Sequence, residues 1–109
     1  MTHVSIIKTR SGEYKGFNCI GHSGYAEAGE DIVCAAISVL VINTINAMET
    51  LAEEKMEVVA GEEDGVIDVV FVNPVNEKTK LLMDTMILGL KSIAQQYGKK
   101  YLRLKFEEV

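Results

Sequence analysis

The sequence predicts a single α/β domain over residues 1–109, in the order ββαββαβ, with two helices packed on a mostly antiparallel or mixed sheet. Three observations carry that prediction. Apolar residues alternate with period two near Val4 and Ile6 and again at Met56, Val58 and Ala60; two long stretches show the i, i+3, i+4, i+7 spacing of helices; and clusters of Gly, Asn, Asp and Pro punctuate the joins.

Val4 and Ile6 open the chain as a strand, Arg10-Ser11-Gly12-Glu13 turns it, and Tyr14 to Ile20 returns as the second arm of a hairpin. From Gly21 to Asp31 the composition shifts to Gly, Ala, Ser and acids, with three glycines and no apolar period, which predicts a mobile loop. Val33, Ile37, Leu40, Val41, Thr44, Ile45, Met48 and Leu51 then mark a long helix with a buried stripe, preceded by Glu30 and Asp31 at the positive end of its dipole. Asp31 could cap this helix, where Asp is a favoured residue, or orient His22. Met56 to Ala60 and Val66 to Val72 form a second hairpin around Gly61-Glu62-Glu63-Asp64-Gly65.

Asn73-Pro74 punctuates the chain before a second helix, expected from about Asn76 to Tyr97 and stopped by Gly98. Its apolar set (Leu81, Leu82, Met83, Met86, Ile87, Leu88, Leu90, Ile93) is wider than one stripe, so part of it is expected to be covered by a second subunit. Tyr101 to Phe106 closes the chain as a strand.

With 48% hydrophobic residues the chain can bury a core without cross-links. Two cysteines are too few for a secreted disulfide framework, and Met1-Thr2-His3-Val4 lacks the layout of a secretory signal. The expectation is a cytoplasmic protein that neither enters a membrane nor binds nucleic acid directly, since a net charge of −5 offers no clustered cations for phosphate.

Chemistry concentrates around Cys34. The expected helix start puts this thiol in the first turn, exposed, where unpaired backbone N–H groups favour a thiolate. Cysteine also fills small gaps in cores, and that reading stands beside the nucleophilic one. What favours chemistry is His22 at the other end of the glycine-rich loop, because a base that can fold back onto a thiol is the minimum unit of nucleophilic catalysis. Gly21 and Gly24 leave the backbone beside His22 open to a bound peptide.

Ser38 is one turn beyond Cys34 and could reach the same end of the helix, or bond back to the Cys34 carbonyl. Cys19 reads as a strand core residue. A zinc site of Cys19, His22 and Cys34 lacks a fourth ligand, and no metal or cofactor is expected. No phosphate-cradling glycine motif is present.

The run Gly21-His22-Ser23-Gly24-Tyr25-Ala26, then Gly29, then Asp31-Ile32-Val33-Cys34-Ala35-Ala36-Ile37-Ser38 resembles the signature of the bacterial ribosomal-processing cysteine proteases. The likeness extends along the chain, including Lys80-Leu81-Leu82-Met83-Asp84-Thr85-Met86 of the second helix. The resemblance implies removal of a short N-terminal extension from a precursor of the large-subunit ribosomal protein bL-twenty-seven. It implies catalysis by His22 and Cys34, a substrate-binding loop including Gly21, Ser23, Gly24, Tyr25, Gly29 and Asp31, a homodimer, and no cofactor. The chief alternative is a non-catalytic ribosome-assembly or interaction module that docks through the same loop and keeps Cys34 as core. A redox-sensing thiol protein and a zinc module are weaker alternatives.

Overall fold

The computed structural model describes residues 1–21, 28–61, 65–97 and 100–109, and for residues 28–31 the backbone alone. Among them the strands are β1 (Thr2–Lys8), β2 (Tyr14–Ile20), β3 (Met56–Gly61), β4 (Val66–Phe71) and β5 (Leu102–Glu108), and the helices are α1 (Ala28–Thr50) and α2 (Glu77–Tyr97). They follow the expected ββαββαβ order. The strands form one mixed sheet in the order β3-β4-β2-β1-β5, antiparallel throughout except where β5 runs parallel to β1.

Period-two alternation gives this sheet two unlike faces. Val4 and Ile6 of β1, Phe17 and Cys19 of β2, Ile67, Val69 and Phe71 of β4 and Leu102 of β5 are buried in one cluster. Against them α1 lays Val33, Ile37, Val41, Ile45 and Met48, a stripe at helical spacing, and α2 lays Met83, Met86, Ile87 and Leu90. The intervening strand positions, among them His3, Asn18 and Arg103, belong to the opposite face.

The two helices also pack on each other. Gly89 permits this, because a Cβ there would sit 2.8 Å from Cδ2 of Leu40. By length and composition Ile32–Thr50 is apolar enough to cross a bilayer, but its inward stripe is the core just described.

The wide apolar set of α2 is mostly consumed by that core. Leu82, Ile93 and Ala94 pack against its margin, leaving Leu81 and Leu88 uncovered, Leu88 at 66% exposure. A larger uncovered strip lies on α1, where Ile32, Val39 and Ile42 face outward, Val39 at 69%.

Asn76, three residues after the Asn73 of the expected boundary, is the residue that caps α2. Its Oδ1 accepts the Thr79 N–H at 2.9 Å, as an N-cap residue does, while its own amide donates to the Ala52 carbonyl at 3.0 Å. The buried carboxylate of Glu54 accepts the Asn76 backbone N–H at 3.0 Å, so the end of α1 and the start of α2 are tied together.

One boundary moves in a way that matters for the site. The stretch expected to remain loop as far as Asp31 is already helical from Ala28. Ala, Glu and Asp are acceptable first-turn residues, acids there being favoured by the dipole, and a single glycine is not enough to prevent helix. Gly29 and Asp31 are therefore helical, and Asp31 is not the N-cap. His22, Ser23, Gly24 and Tyr25 of the predicted loop lie outside the described residues.

Candidate active site

Cys34 lies in the second turn of α1, not the first, because α1 begins six residues before it. At 1.5 Å of rise per residue the free amides of the first turn lie about 6 to 9 Å from Cys34 along the axis, and the dipole's preference for anions is strongest in that terminal turn. Cys34 is therefore one turn further from the helix start than its sequence position suggested. The thiol is also not exposed: Cys34 is 7% accessible and turns towards the sheet.

What Cys34 meets there is Thr2, at the beginning of β1. The Thr2 hydroxyl and the Cys34 sulfur are 3.6 Å apart and buried, and either can donate. Thr2 is fully buried and fixed by its strand: its N–H donates to the Tyr101 carbonyl at 3.0 Å, and it pairs with Leu102 of β5.

Gly21, the residue that leads into His22, reaches the same place. It has φ +98°, a left-handed conformation that favours glycine, and its N–H donates to the Gly65 carbonyl at 3.0 Å. A Cβ on Gly21 would stand 2.4 Å from the Met1 carbonyl oxygen and 3.6 Å from the Thr2 Cα. The backbone entering His22 and the sulfur of Cys34 therefore converge on Met1 and Thr2. Gly21, read from sequence as leaving the backbone open beside His22, makes a close backbone approach to Met1.

Cys19 is the strand core residue expected of it, fully buried on β2 opposite Val4. Val4 and Thr2 lie on the same side of β1, so Cys19 is diagonal to Thr2 beneath α1. Burial first, and then the charge of Cys34, push the Cys19 thiol up to about 11. At neutral pH Cys19 is a thiol and no competitor as a nucleophile.

Ser38 is half-buried one turn beyond Cys34. Among the described residues no group of three or more His, Cys, Asp or Glu is arranged to hold a metal. Thr2 was missed by sequence reasoning, and no local signal marks it: it is 32 positions from Cys34 and is a plain strand residue in sequence.

The arrangement sets the Cys34 sulfur beside the Thr2 hydroxyl, with Gly21 close to the neighbouring Met1 backbone. Comparison with known proteins bears on what it does. Curated relatives named ribosomal processing cysteine protease Prp include one from Staphylococcus aureus, 27% identical over 98% of this chain and 100% of its own length. Another, from Bacillus subtilis, is 29% identical over 89% of this chain and 90% of its own.

Among solved structures, the S. aureus ribosomal processing protease Prp in complex with a substrate peptide superposes with a TM-score of 0.91 at 26% identity, covering 98% of this chain and 100% of that one. The same protease with a covalently linked product peptide gives 0.87 at 27% identity over the same shares. The family description cysteine protease Prp matches residues 1–102. A match of this description over residues 1–102, on a fold shared with solved structures of the protease, makes this chain a member of the cysteine protease Prp family.

Proposed function

We propose that the chain is a cysteine endopeptidase with Cys34 as nucleophile and His22 as general base, and that it removes a short N-terminal extension from the ribosomal protein bL-twenty-seven. The observation that carries the reading is the convergence of Gly21 and Cys34 on Thr2, which puts the residue before His22 at the same end of β1 as the nucleophile. The relatives named ribosomal processing cysteine protease, and the staphylococcal structure with its substrate peptide, support the substrate class.

In this reading His22 takes the proton of Cys34, and the thiolate attacks the scissile carbonyl to form a carbon–sulfur bond. The imidazolium then protonates the departing amine as the carbon–nitrogen bond breaks. Water, deprotonated by His22, hydrolyses the thioester and releases the carboxylate product with the thiol restored. The reaction is redox-neutral and requires no metal or cofactor.

We place the enzyme in the cytoplasm as a homodimer. The uncovered Leu81 and Leu88 of α2 and Ile32, Val39 and Ile42 of α1 support the second copy, since contiguous apolar faces mark interaction surfaces. Leu88→Glu or Val39→Glu should shift sedimentation towards monomer.

The deciding experiment is incubation with the bL-twenty-seven precursor from the same organism, read by mass spectrometry. Loss of the extension with wild type and its retention with Cys34→Ala is the expected result. Binding without cleavage would instead identify an interaction module.

A further inference from the structure

We propose that Thr2 is a positioning residue for the Cys34 nucleophile: its hydroxyl holds the sulfur in place and donates a hydrogen bond to it once the sulfur is ionised. The proposal rests on the reading of Cys34 as nucleophile and goes beyond it by naming the group that steadies the sulfur.

The geometry has three parts. First, the Thr2 Oγ1 to Cys34 Sγ separation of 3.6 Å is a direct contact between the reacting atom and a fully buried hydroxyl. A buried hydroxyl without a partner is costly, so this pair satisfies Thr2 as well as Cys34. Second, the post is rigid. Thr2 is β-branched and stiff about χ1, and it is fixed to β5 through the Tyr101 carbonyl and the pairing with Leu102.

Third, the chemistry of the pair can follow the reaction. A thiol can donate to or accept from a hydroxyl, whereas a thiolate can only accept. Rotation of the hydroxyl hydrogen alone converts one state into the other, with no heavy atom moving. The contact thus serves Cys34 before and after proton transfer, and again when the thiol leaves the acyl-enzyme.

A packing role is the competing explanation, and the two differ in a crossed way. Valine matches threonine in shape but has no hydroxyl; serine keeps the hydroxyl but leaves a methyl-sized gap. The experiment measures the rate of Cys34 alkylation by iodoacetamide, assigned by peptide mapping, in wild type, Thr2→Val, Thr2→Ala and Thr2→Ser. It also measures kcat and KM on a peptide spanning the extension, and melting curves verify that each variant is folded.

The hydroxyl role predicts that Thr2→Val and Thr2→Ala slow alkylation about tenfold, the scale of one hydrogen bond to a charged group, while Thr2→Ser stays close to wild type. It also predicts that kcat falls with KM unchanged in the two variants lacking the hydroxyl. Thr2→Val reacting like wild type, or Thr2→Ser reacting more slowly than Thr2→Val, overturns the proposal alone and leaves Cys34 as nucleophile. Failure of wild-type Cys34 to alkylate removes that reading, and the proposal with it.

Discussion

Gly21 and Met1 are packed backbone against backbone, so closely that any Cβ on Gly21 would lie 2.4 Å from the Met1 carbonyl oxygen. The obstacle is main chain that is held in the sheet by the neighbouring Thr2, so it cannot simply turn aside as a side chain would. Gly21→Ala should cost about 2 to 4 kcal/mol in urea denaturation, combining left-handed strain with this clash. Cleavage should fall further than stability explains, because the residue sets the exit of the chain into His22. Unchanged denaturation would show that the backbone there is free to relax.

Cys34→Ala and Cys34→Ser should both abolish processing. The thiol is a small buried group, so a modest stability loss of about 1 kcal/mol is expected from Cys34→Ala, with the hydroxyl of Thr2 left without its sulfur. Intact-mass analysis of the substrate after long incubation provides the check, and any specific cleavage by Cys34→Ala would remove Cys34 from the reaction.

Asn76→Ala should lower stability by about 1 to 2 kcal/mol with little effect on the site. Its side chain satisfies both the Thr79 N–H and the Ala52 carbonyl, and a cap alone contributes about 1 kcal/mol. Thermal melting tests this, with Asn76→Asp as the partner variant: it keeps the cap acceptor but loses the donor to Ala52, and should fall between the two.

Alkaline pH should destabilise the protein through Cys19. Its thiol is pushed from an ordinary 9.0 up to about 11 by burial and then by Cys34, so the folded state retains a proton that the unfolded chain releases. That contribution is complete below about pH 9 and is lost as pH rises towards 11, a change of about 3 kcal/mol over two units. Unfolding free energies of wild type and Cys19→Ala across that window should converge as pH rises. Tyr14, whose phenol is also pushed up by burial and then by Asp84, titrates in both proteins and cancels in the comparison.

The order of elements and the inward residues of β1, β2 and β4 were legible because period two and period 3.6 are written locally, whereas the alternation of β3 marks no buried face, Val58 being exposed. Partnership was not. Nothing in Tyr101 to Phe106 says that the last strand lies parallel to the first, since alternation specifies faces and not neighbours. The start of α1 was read too late because Gly29 and the acids resemble a loop in composition, whereas Ala28 to Asp31 are all tolerated in a first turn. That error of about one turn made Cys34 look exposed and dipole-activated. The family itself was legible through the resemblance carried by residues 21–38. Thr2 was not, because a contact across 32 residues between a strand and a helix exists only once both have packed.

The parallel pairing of β1 with β5, in register from Thr2 with Leu102 to Lys8 with Glu108, also determines how the fold responds to force. Tension applied at Thr2 and at Glu108 pulls the two adjacent strands past each other along their axes. The bonds between them are evenly spaced, so they share the load together instead of opening one after another like a zip. The sheet edge is thus a mechanical clamp, and because Thr2 is one of its anchor points, the sulfur of Cys34 is seated on the contact that must shear before the rest of the chain is loaded.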